Sequence, residues 1–307
     1  MDYQEFKNTI VKRLESCYGE DAKITVVTVM KYNGYKYDGI QISFPNKKSE
    51  VIPLIQMENL YERYKNGEIT MEECEGAVVE MREERECEEI YKEFSEKCMT
   101  WNDVKDKIYP ILMCSETNKE LLDNLVHKPF LDMSIAYIIR NSLCRCASNS
   151  IKVTHALMRI YGINHEQLHQ QAMGNLEKDD YKFMDMEHTI MGLVMRAGGL
   201  DDVQEYPAVP ELKKDRYYIL TNSSMLYGAA GILNKKLLKD FIGDIDCYIL
   251  PSSQHETIFL SANDMIDQND LDRKVAEVNQ NLLDVQDILV NHSYYYDSST
   301  QEIRIRK

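Results

Sequence analysis

The feature that most constrains the fold is the irregular order of helix-like and strand-like segments along the chain. Near the start, Phe6, Ile10 and Leu14 recur at helical spacing and would share one helix face. The β-rich segments 24–30 and 39–44 follow, with a turn between them. Later segments do not show the regular alternation of strand and helix that builds a parallel sheet. The pattern therefore predicts an α+β protein with a mixed β-sheet flanked by helices.

The composition changes near residue 100, which divides the chain into two expected domains. Residues 1–100 would form a helix-rich module with a strand pair and acidic helices, and residues 101–307 would form an α+β domain. Charges surround an apolar stripe in the acidic stretch 68–97, and such a stripe is expected to pack on its own domain. An acidic arm that binds a partner is the alternative. The stripe consists of Met71, Cys74, Val78, Met81, Ile90, Phe94 and Cys98.

Periodicity also places the elements of the second domain. Strands are predicted at residues 108–113, 135–140, 217–220, 247–250 and 257–260. Helices are predicted at residues 154–162, 165–176, 186–196, 224–241 and 271–282, and a terminal hairpin at 294–296 and 302–305.

Charge and hydropathy restrict the partners of the protein. The net charge is −15, from 51 acidic and 36 basic residues, and such a surface repels a phosphate backbone. Nucleic-acid binding is therefore disfavoured. If the protein binds a macromolecule, we expect that partner to be a protein, whose identity the sequence does not give. No apolar run reaches the length of roughly 18 residues that spans a bilayer, so no membrane association is expected.

The N-terminal residues and the cysteines indicate a cytoplasmic location. Residues 1–5 lack the basic and apolar segments of a signal peptide. The eight cysteines form no C-x-x-C pair and are expected to be reduced thiols. Cys144 and Cys146 are close in sequence, but no second pair is near them, so a metal site there is disfavoured.

Residues 165–169 spell H-E-x-x-H, a pattern that places two zinc-binding imidazoles on one helix face. In a zinc-dependent hydrolase or peptidase, His165 and His169 would bind the ion and Glu166 would act as the general base. A third ligand is needed, for which Glu187 is the first candidate and His188 the alternative.

The residues around this motif favour a structural interpretation. Asn164 is a good helix N-cap, and Gln167 lies three residues later, as in a capping box. His165 would then lie in the first turn of a short helix, whereas zinc-peptidase motifs lie within longer buried helices. The sequence therefore predicts an ordinary helix and no cofactor, with zinc as the alternative.

Two polar loops in the second domain form another candidate site. Thr221–Ser224 follows a predicted strand, and Pro251–Glu256 follows another. If these strands are parallel neighbours, the loops converge at one sheet edge, where small ligands or anions bind. The candidate ligand-binding residues are Asn222, Ser252, Ser253, His255 and Glu256.

Two other interpretations of these loops remain open. Ser253 and His255 could serve nucleophilic catalysis, although the chain lacks the G-x-S-x-G elbow. A purely structural role, in which the polar side chains cap turns and satisfy backbone groups, is favoured.

Distinctive strings occur from Trp101 onward, at residues 108–110, 129–132, 218–222, 227–230, 249–256, 278–279 and 292–297. Together they resemble an uncharacterised clostridial family, domain of unknown function 5688. The resemblance covers most of the chain and is clearest after Trp101. In similar proteins, the segment matching 163–175 has the form Glu-x-Leu…Ala…Asn, and the paired histidines are not part of it.

The resemblance implies no activity, because none is established for that family. Outside the H-E-x-x-H string, the sequence contains no complete catalytic constellation. The leading hypothesis is therefore a non-enzymatic binding or interaction protein. The zinc hydrolase and the small-ligand or anion-binding module are the two alternatives.

Overall fold

The structure is a computed structural model that describes residues 1–45, 54–86, 98, 100–140, 150–197, 208–251, 253–262 and 266–305. The chain divides into two compact units, Met1–Met99 and Thr100–Lys307. Helices and antiparallel sheets occur in both units, which confirms the predicted α+β class. None of the helices in the described ranges is long and apolar enough to cross a membrane.

Among its described residues, the first unit contains a three-stranded antiparallel sheet and three α-helices. Its sheet has the order β1-β2-β3. The elements are α1 (Tyr3–Tyr18), β1 (Lys23–Met30), β2 (Lys36–Ser43), β3 (Leu54–Gln56), α2 (Glu58–Lys65) and α3 (Met71–Glu86).

The core of the first unit confirms the apolar face predicted for its first helix. Phe6, Ile10 and Leu14 are fully buried. They belong to one apolar cluster with Ile40 and Ile42 of β2. Burying such side chains contributes about 1.5–3 kcal/mol each, so this face holds α1 on the sheet.

The acidic helix α3 packs on the same core through its apolar stripe. Cys74 and Val78 are buried, and Met71 and Met81 are partly buried against the cluster. This part of the stripe is therefore internal packing, as the sequence predicted. The predicted stripe members Ile90 and Phe94 lie outside the described residues.

The second unit begins with a four-stranded antiparallel sheet. Strand β6 is central, with β4 on one edge and β5 and β7 sharing the other. The elements are α4 (Trp101–Val104), β4 (Ile108–Cys114), α5 (Lys119–Leu122), β5 (His127–Phe130), β6 (Met133–Arg140), β7 (Ser150–Lys152), α6 (His155–Ile160) and α7 (His165–Leu176).

A six-stranded sheet completes the second unit, with the order β13-β12-β10-β11-β9-β8 and antiparallel pairing throughout. A 3₁₀ helix, Gly228–Leu233, lies in the chain between the strand Tyr217–Thr221 and the helix Lys235–Ile242. The elements are β8 (Lys182–Asp185), α8 (Met186–Ala197), β9 (Tyr217–Thr221), α9 (Lys235–Ile242), β10 (Cys247–Leu250), β11 (Thr257–Ser261), α10 (Gln268–Leu282), β12 (Tyr294–Asp297) and β13 (Glu302–Arg304).

Helix α10 covers one face of the six-stranded sheet. Its residues Leu271 and Val275 are buried with Tyr248, Leu260 and Tyr295 of the sheet. The buried positions of α10 match the helical spacing read from the sequence. The structure confirms the predicted helix, and the antiparallel pairing of β12 with β13 confirms the predicted C-terminal hairpin.

The prediction of one helix over residues 224–241 is wrong. A loop precedes the 3₁₀ helix, and α9 begins only at Lys235 because the Asn234 side chain accepts a hydrogen bond from the Leu237 N–H. The small residues of the 3₁₀ helix are all buried. Tight packing, rather than helical periodicity, therefore determines this segment.

The order of the strands also corrects the assumed relation between the two polar loops. Strands β9 and β10 are not neighbours, because β11 lies between them and pairs antiparallel with each. The two outer strands consequently run in the same direction. Their C-terminal ends, where both loops begin, therefore lie at the same edge of the sheet.

Candidate functional site

The two motif histidines lie against a buried tyrosine. Asn164 and Gln167 form the predicted capping box at the start of α7. The His165 and His169 rings meet the ring of Tyr137 edge-on, with centroid distances of 6.3 and 6.2 Å. Tyr137 is fully buried in β6. The histidine face of α7 therefore contributes to an aromatic cluster on the four-stranded sheet.

One of these histidines, His169, also forms a hydrogen bond with Tyr137. The Tyr137 hydroxyl lies 2.9 Å from Nδ1 of His169. Burial, with a smaller contribution from Lys128, lowers the pKa of His169, so its neutral form is favoured. Burial also raises the pKa of Tyr137, which keeps the phenol protonated.

In the part of the chain that the structure describes, no third metal ligand accompanies the motif histidines, although the zinc interpretation requires one. Within the described ranges, no three His, Cys, Asp or Glu side chains are grouped to hold a metal ion. Glu187 lies elsewhere, beside Asp185 and Arg216. His188 contacts Asp185 through its Nδ1 atom at 3.1 Å. The structure therefore does not bring Glu187 or His188 together with the motif histidines.

The polar loops after β9 and β10 do converge. The Thr221 hydroxyl donates a hydrogen bond of 2.9 Å to the His255 carbonyl oxygen. Asn222 is fully buried, and its amide donates to the Leu226 carbonyl oxygen while its side-chain oxygen accepts from the Ser224 hydroxyl. The side chain of Asn222 thus organises its own turn.

The second loop is held by side-chain hydrogen bonds. The Nδ1 atom of His255 accepts from the Tyr227 N–H at 3.2 Å, and Nε2 lies 3.2 Å from the Asp287 carboxylate. The Ser253 hydroxyl accepts from the backbone N–H of His255 rather than from its ring. Burial raises the pKa of Glu256. Ser252, the other candidate residue, lies outside the described residues.

These hydrogen bonds hold the loop after β10 in one conformation. Both ring nitrogens of His255 have partners within the loop region, so neither is directed at the Ser253 hydroxyl as a general base would be. Asn222 has no exposed surface for a ligand. The geometry therefore favours the structural interpretation that the sequence preferred for these residues.

A cavity of about 610 Å³ lies at the other end of β9, between α8 and the start of that strand. We call it the α8–β9 cleft. Its apolar lining includes Ile190, Met191 and Tyr217, which are 48%, 53% and 43% exposed. Its charged lining consists of Asp185, Glu187, Asp215 and Arg216.

An ion pair forms part of the cleft wall. The Arg216 guanidinium donates to the Asp185 carboxylate at 2.7 Å. Asp185 also accepts from the backbone N–H of His188 at 3.2 Å, so it caps α8. Burial opposes ionisation of Asp185, but the hydrogen bonds from Arg216 and His188 outweigh it and lower the pKa of the carboxyl.

The same pair adjoins a second, smaller cavity. This cavity has a volume of about 220 Å³ and is lined by Thr189, Lys213 and Tyr218 as well as by the pair. Sequence reasoning predicted the start of α8 at Asp185 but missed the cleft. The partner of Asp185 is 31 residues away in sequence. No local pattern could have indicated this pairing.

A further polar cluster joins the two sheets of the second unit. His292 Nε2 lies 2.7 Å from Asp132, and the Tyr294 hydroxyl donates to the other oxygen of the same carboxylate. Asp132 lies in the turn between β5 and β6. The sequence contained both strings, 129–132 and 292–297, but nothing in it indicated their contact.

Comparison with known proteins identifies a family, but the description of that family names no activity. The family model described as Family of unknown function (DUF5688) matches residues 3–298, which confirms the resemblance drawn from the sequence. No curated protein and no solved structure matches the chain. A function must therefore be inferred from the site itself.

Proposed function

We propose that this protein, which belongs to the family of unknown function DUF5688, is a binding protein whose ligand occupies the α8–β9 cleft. The observation that carries the proposal is the cavity of about 610 Å³ with exposed apolar side chains in its lining. Ligand pockets typically have volumes of about 300–1,000 Å³ and combine apolar walls with a few polar groups. The cleft has these properties.

The apolar side chains support this proposal because they share one concave surface. Single exposed apolar residues are normal on a protein surface and need no functional explanation. Here Ile190 and Met191 of α8 and Tyr217 of β9 line a single cavity. A ligand with an apolar body would remove all three from water, at roughly 25 cal/mol for each Å² buried.

The wall of the cleft is held in place before any ligand binds. Asp185 ends β8 and caps α8, and Arg216 immediately precedes β9. Their ion pair therefore fixes the start of the helix relative to the start of the strand. A preorganised site loses less conformational entropy on binding, which favours affinity.

A neutral apolar dye tests the proposal. We expect N-phenyl-1-naphthylamine to bind with saturable fluorescence enhancement, and Ile190→Asp to abolish that binding. Val278→Asp is the matched control, because Val278 is 41% exposed on α10 and is not part of the cleft lining. Failure of the dye to saturate, or equal losses in the two variants, would refute the proposal.

A further inference from the structure

We propose that the smaller cavity beside the α8–β9 cleft is a binding site for an oxyanion, namely a phosphate or carboxylate group. We call it the Tyr218 cavity. It has a volume of about 220 Å³, and the hydrogen-bond donors Lys213, Arg216 and Tyr218 line it together with Asp185. This inference goes beyond the proposed function, because it concerns a second cavity with a different ligand.

A buried phenol in the cavity lining has a hydrogen atom to donate. Tyr218 is 1% exposed, and its hydroxyl oxygen accepts a hydrogen bond of 3.2 Å from the backbone N–H of Lys213. A tyrosine hydroxyl can also donate, but within the described ranges no side chain or carbonyl oxygen accepts from this one. Buried polar groups are nearly always paired. A ligand with an acceptor oxygen would complete the pairing of Tyr218.

Two cationic side chains line the same cavity and also have donors to spare. The exposed Lys213 ammonium forms no ion pair with any residue that the structure describes. The Arg216 guanidinium has five N–H donors, and only its Nη1 atom is engaged, by Asp185. Hydrogen bonds from charged donors to carboxylate or phosphate are roughly twice as strong as neutral ones. The donors therefore favour an anionic oxygen over a neutral one.

The carboxylate in the lining is already engaged by other donors. Asp185 accepts from the Arg216 guanidinium at 2.7 Å and from the His188 backbone N–H at 3.2 Å, and the Nδ1 atom of His188 lies 3.1 Å away. Asp185 therefore leaves the donors of Lys213 and Tyr218 to a ligand. The net charge of −15 opposes anions at long range, so direct hydrogen bonds must provide the affinity.

Methyl NMR of methionine-labelled protein tests the inference, because Met184 lines the Tyr218 cavity and is only 2% exposed. The probes are inorganic phosphate, acetate and acetamide, titrated at neutral pH and constant ionic strength. Acetamide has the shape of acetate without its charge. We expect phosphate or acetate to shift the Met184 signal saturably, and acetamide to leave it in place. The anion that binds more tightly shows whether the site suits phosphate or carboxylate.

Two substitutions identify the donors responsible. Lys213→Met should raise the dissociation constant of the anion about 10-fold, a difference of about 1.4 kcal/mol. Lys214→Met is the matched control, because Lys214 is exposed, lies outside the cavity lining and carries the same charge. It should leave the constant within about 2-fold of the wild type. Tyr218→Phe removes only the hydroxyl and should raise the constant about 5-fold, whereas Tyr217→Phe should not change it.

Three outcomes would overturn the inference. They are a Met184 signal that neither anion shifts saturably, acetamide binding as tight as that of acetate, and equal losses of affinity in Lys213→Met and Lys214→Met. None of them bears on the α8–β9 cleft, whose ligand is tested by the neutral dye and the Ile190→Asp variant.

Discussion

The Arg216 guanidinium lies 2.7 Å from the Asp185 carboxylate, although the two residues are 31 positions apart in sequence. Asp185 is only 8% exposed and has a second function as the cap of α8. Replacing Asp185 by Ala should therefore lower the free energy of unfolding by about 1–2 kcal/mol, since a cap and a hydrogen-bonded ion pair are both lost. Urea unfolding measures this change.

Asp240→Ala provides the control for Asp185→Ala. Asp240 is an exposed residue of α9 at a position remote from the helix N-terminus. Its replacement should change the free energy of unfolding by less than about 0.5 kcal/mol. If Asp185→Ala lowers the free energy of unfolding no more than Asp240→Ala does, Asp185 does not hold the wall of the cleft in place.

The contact between His292 and Asp132 should make stability depend on pH. The Nδ1 and Nε2 atoms of His292 lie 3.1 and 2.7 Å from the Ser293 carbonyl oxygen and the Asp132 carboxylate. Only the doubly protonated ring can donate to both acceptors. Burial opposes this charge, but the hydrogen bonds to Asp132 and Ser293 outweigh it and raise the pKa of His292.

The sign of the pH effect follows from the raised pKa. Stabilisation by His292 is fully present below its unfolded pKa of about 6.5 and is lost as pH rises through the higher folded value. The loss of stability caused by His292→Gln, measured by urea unfolding, should therefore be larger at about pH 6 than at about pH 9. An equal loss at both pH values, or a larger one at the higher pH, would show that the ring is not held as a cation.

Gly228 should tolerate no side chain. A Cβ atom there would lie 2.3 Å from the His255 carbonyl oxygen and 2.9 Å from the Thr221 Cα atom, and both are backbone atoms. Gly228→Ala should lower the free energy of unfolding by about 1–3 kcal/mol, because the strand ends must separate. Thermal or urea unfolding measures the change.

Gly174→Ala is the matched control, and its effect should have the opposite sign. Gly174 lies within α7 of the same unit, with no atom within 4 Å of an added Cβ. Alanine there should stabilise the helix by roughly 0.5–1 kcal/mol. If both substitutions stabilise the protein, the two loops do not approach each other at Gly228 as closely as the structure shows.

The motif histidines should affect stability rather than metal content. The hydroxyl of the fully buried Tyr137 forms a partly buried hydrogen bond with His169, so His169→Ala should lower the free energy of unfolding by about 1–3 kcal/mol. Elemental analysis after dialysis against zinc should find the same substoichiometric content in the wild type and the variant. Stoichiometric zinc that is lost in His169→Ala would instead establish the zinc site.

Local sequence signals predicted the elements whose structure depends on neighbouring residues. Asn164 and Gln167 indicated the start of α7, and the structure has the complete capping box there. The spacing of Phe6, Ile10 and Leu14 likewise indicated the buried face of α1. Capping and amphipathic periodicity are local, so one sequence is sufficient to recognise them.

The remaining features depend on contacts between distant residues. Residues 228–233 read as part of a long helix, yet packing of the chain against Gly228 imposes a 3₁₀ helix. Asp132 and His292 are 160 residues apart, and the cleft requires Asp185 to meet Arg216. Such contacts arise only when the strands are assembled in order, which the sequence did not reveal.

Methyl NMR of methionine-labelled protein tests the central claim most directly. Met191 lines the cleft, whereas Met225 does not, and their exposed fractions are nearly equal at 53% and 52%. During titration with 4-phenylbutan-1-ol, the Met191 methyl signal should shift saturably while that of Met225 stays in place. An unchanged Met191 signal, or equal shifts of both signals, would contradict a ligand site in the α8–β9 cleft.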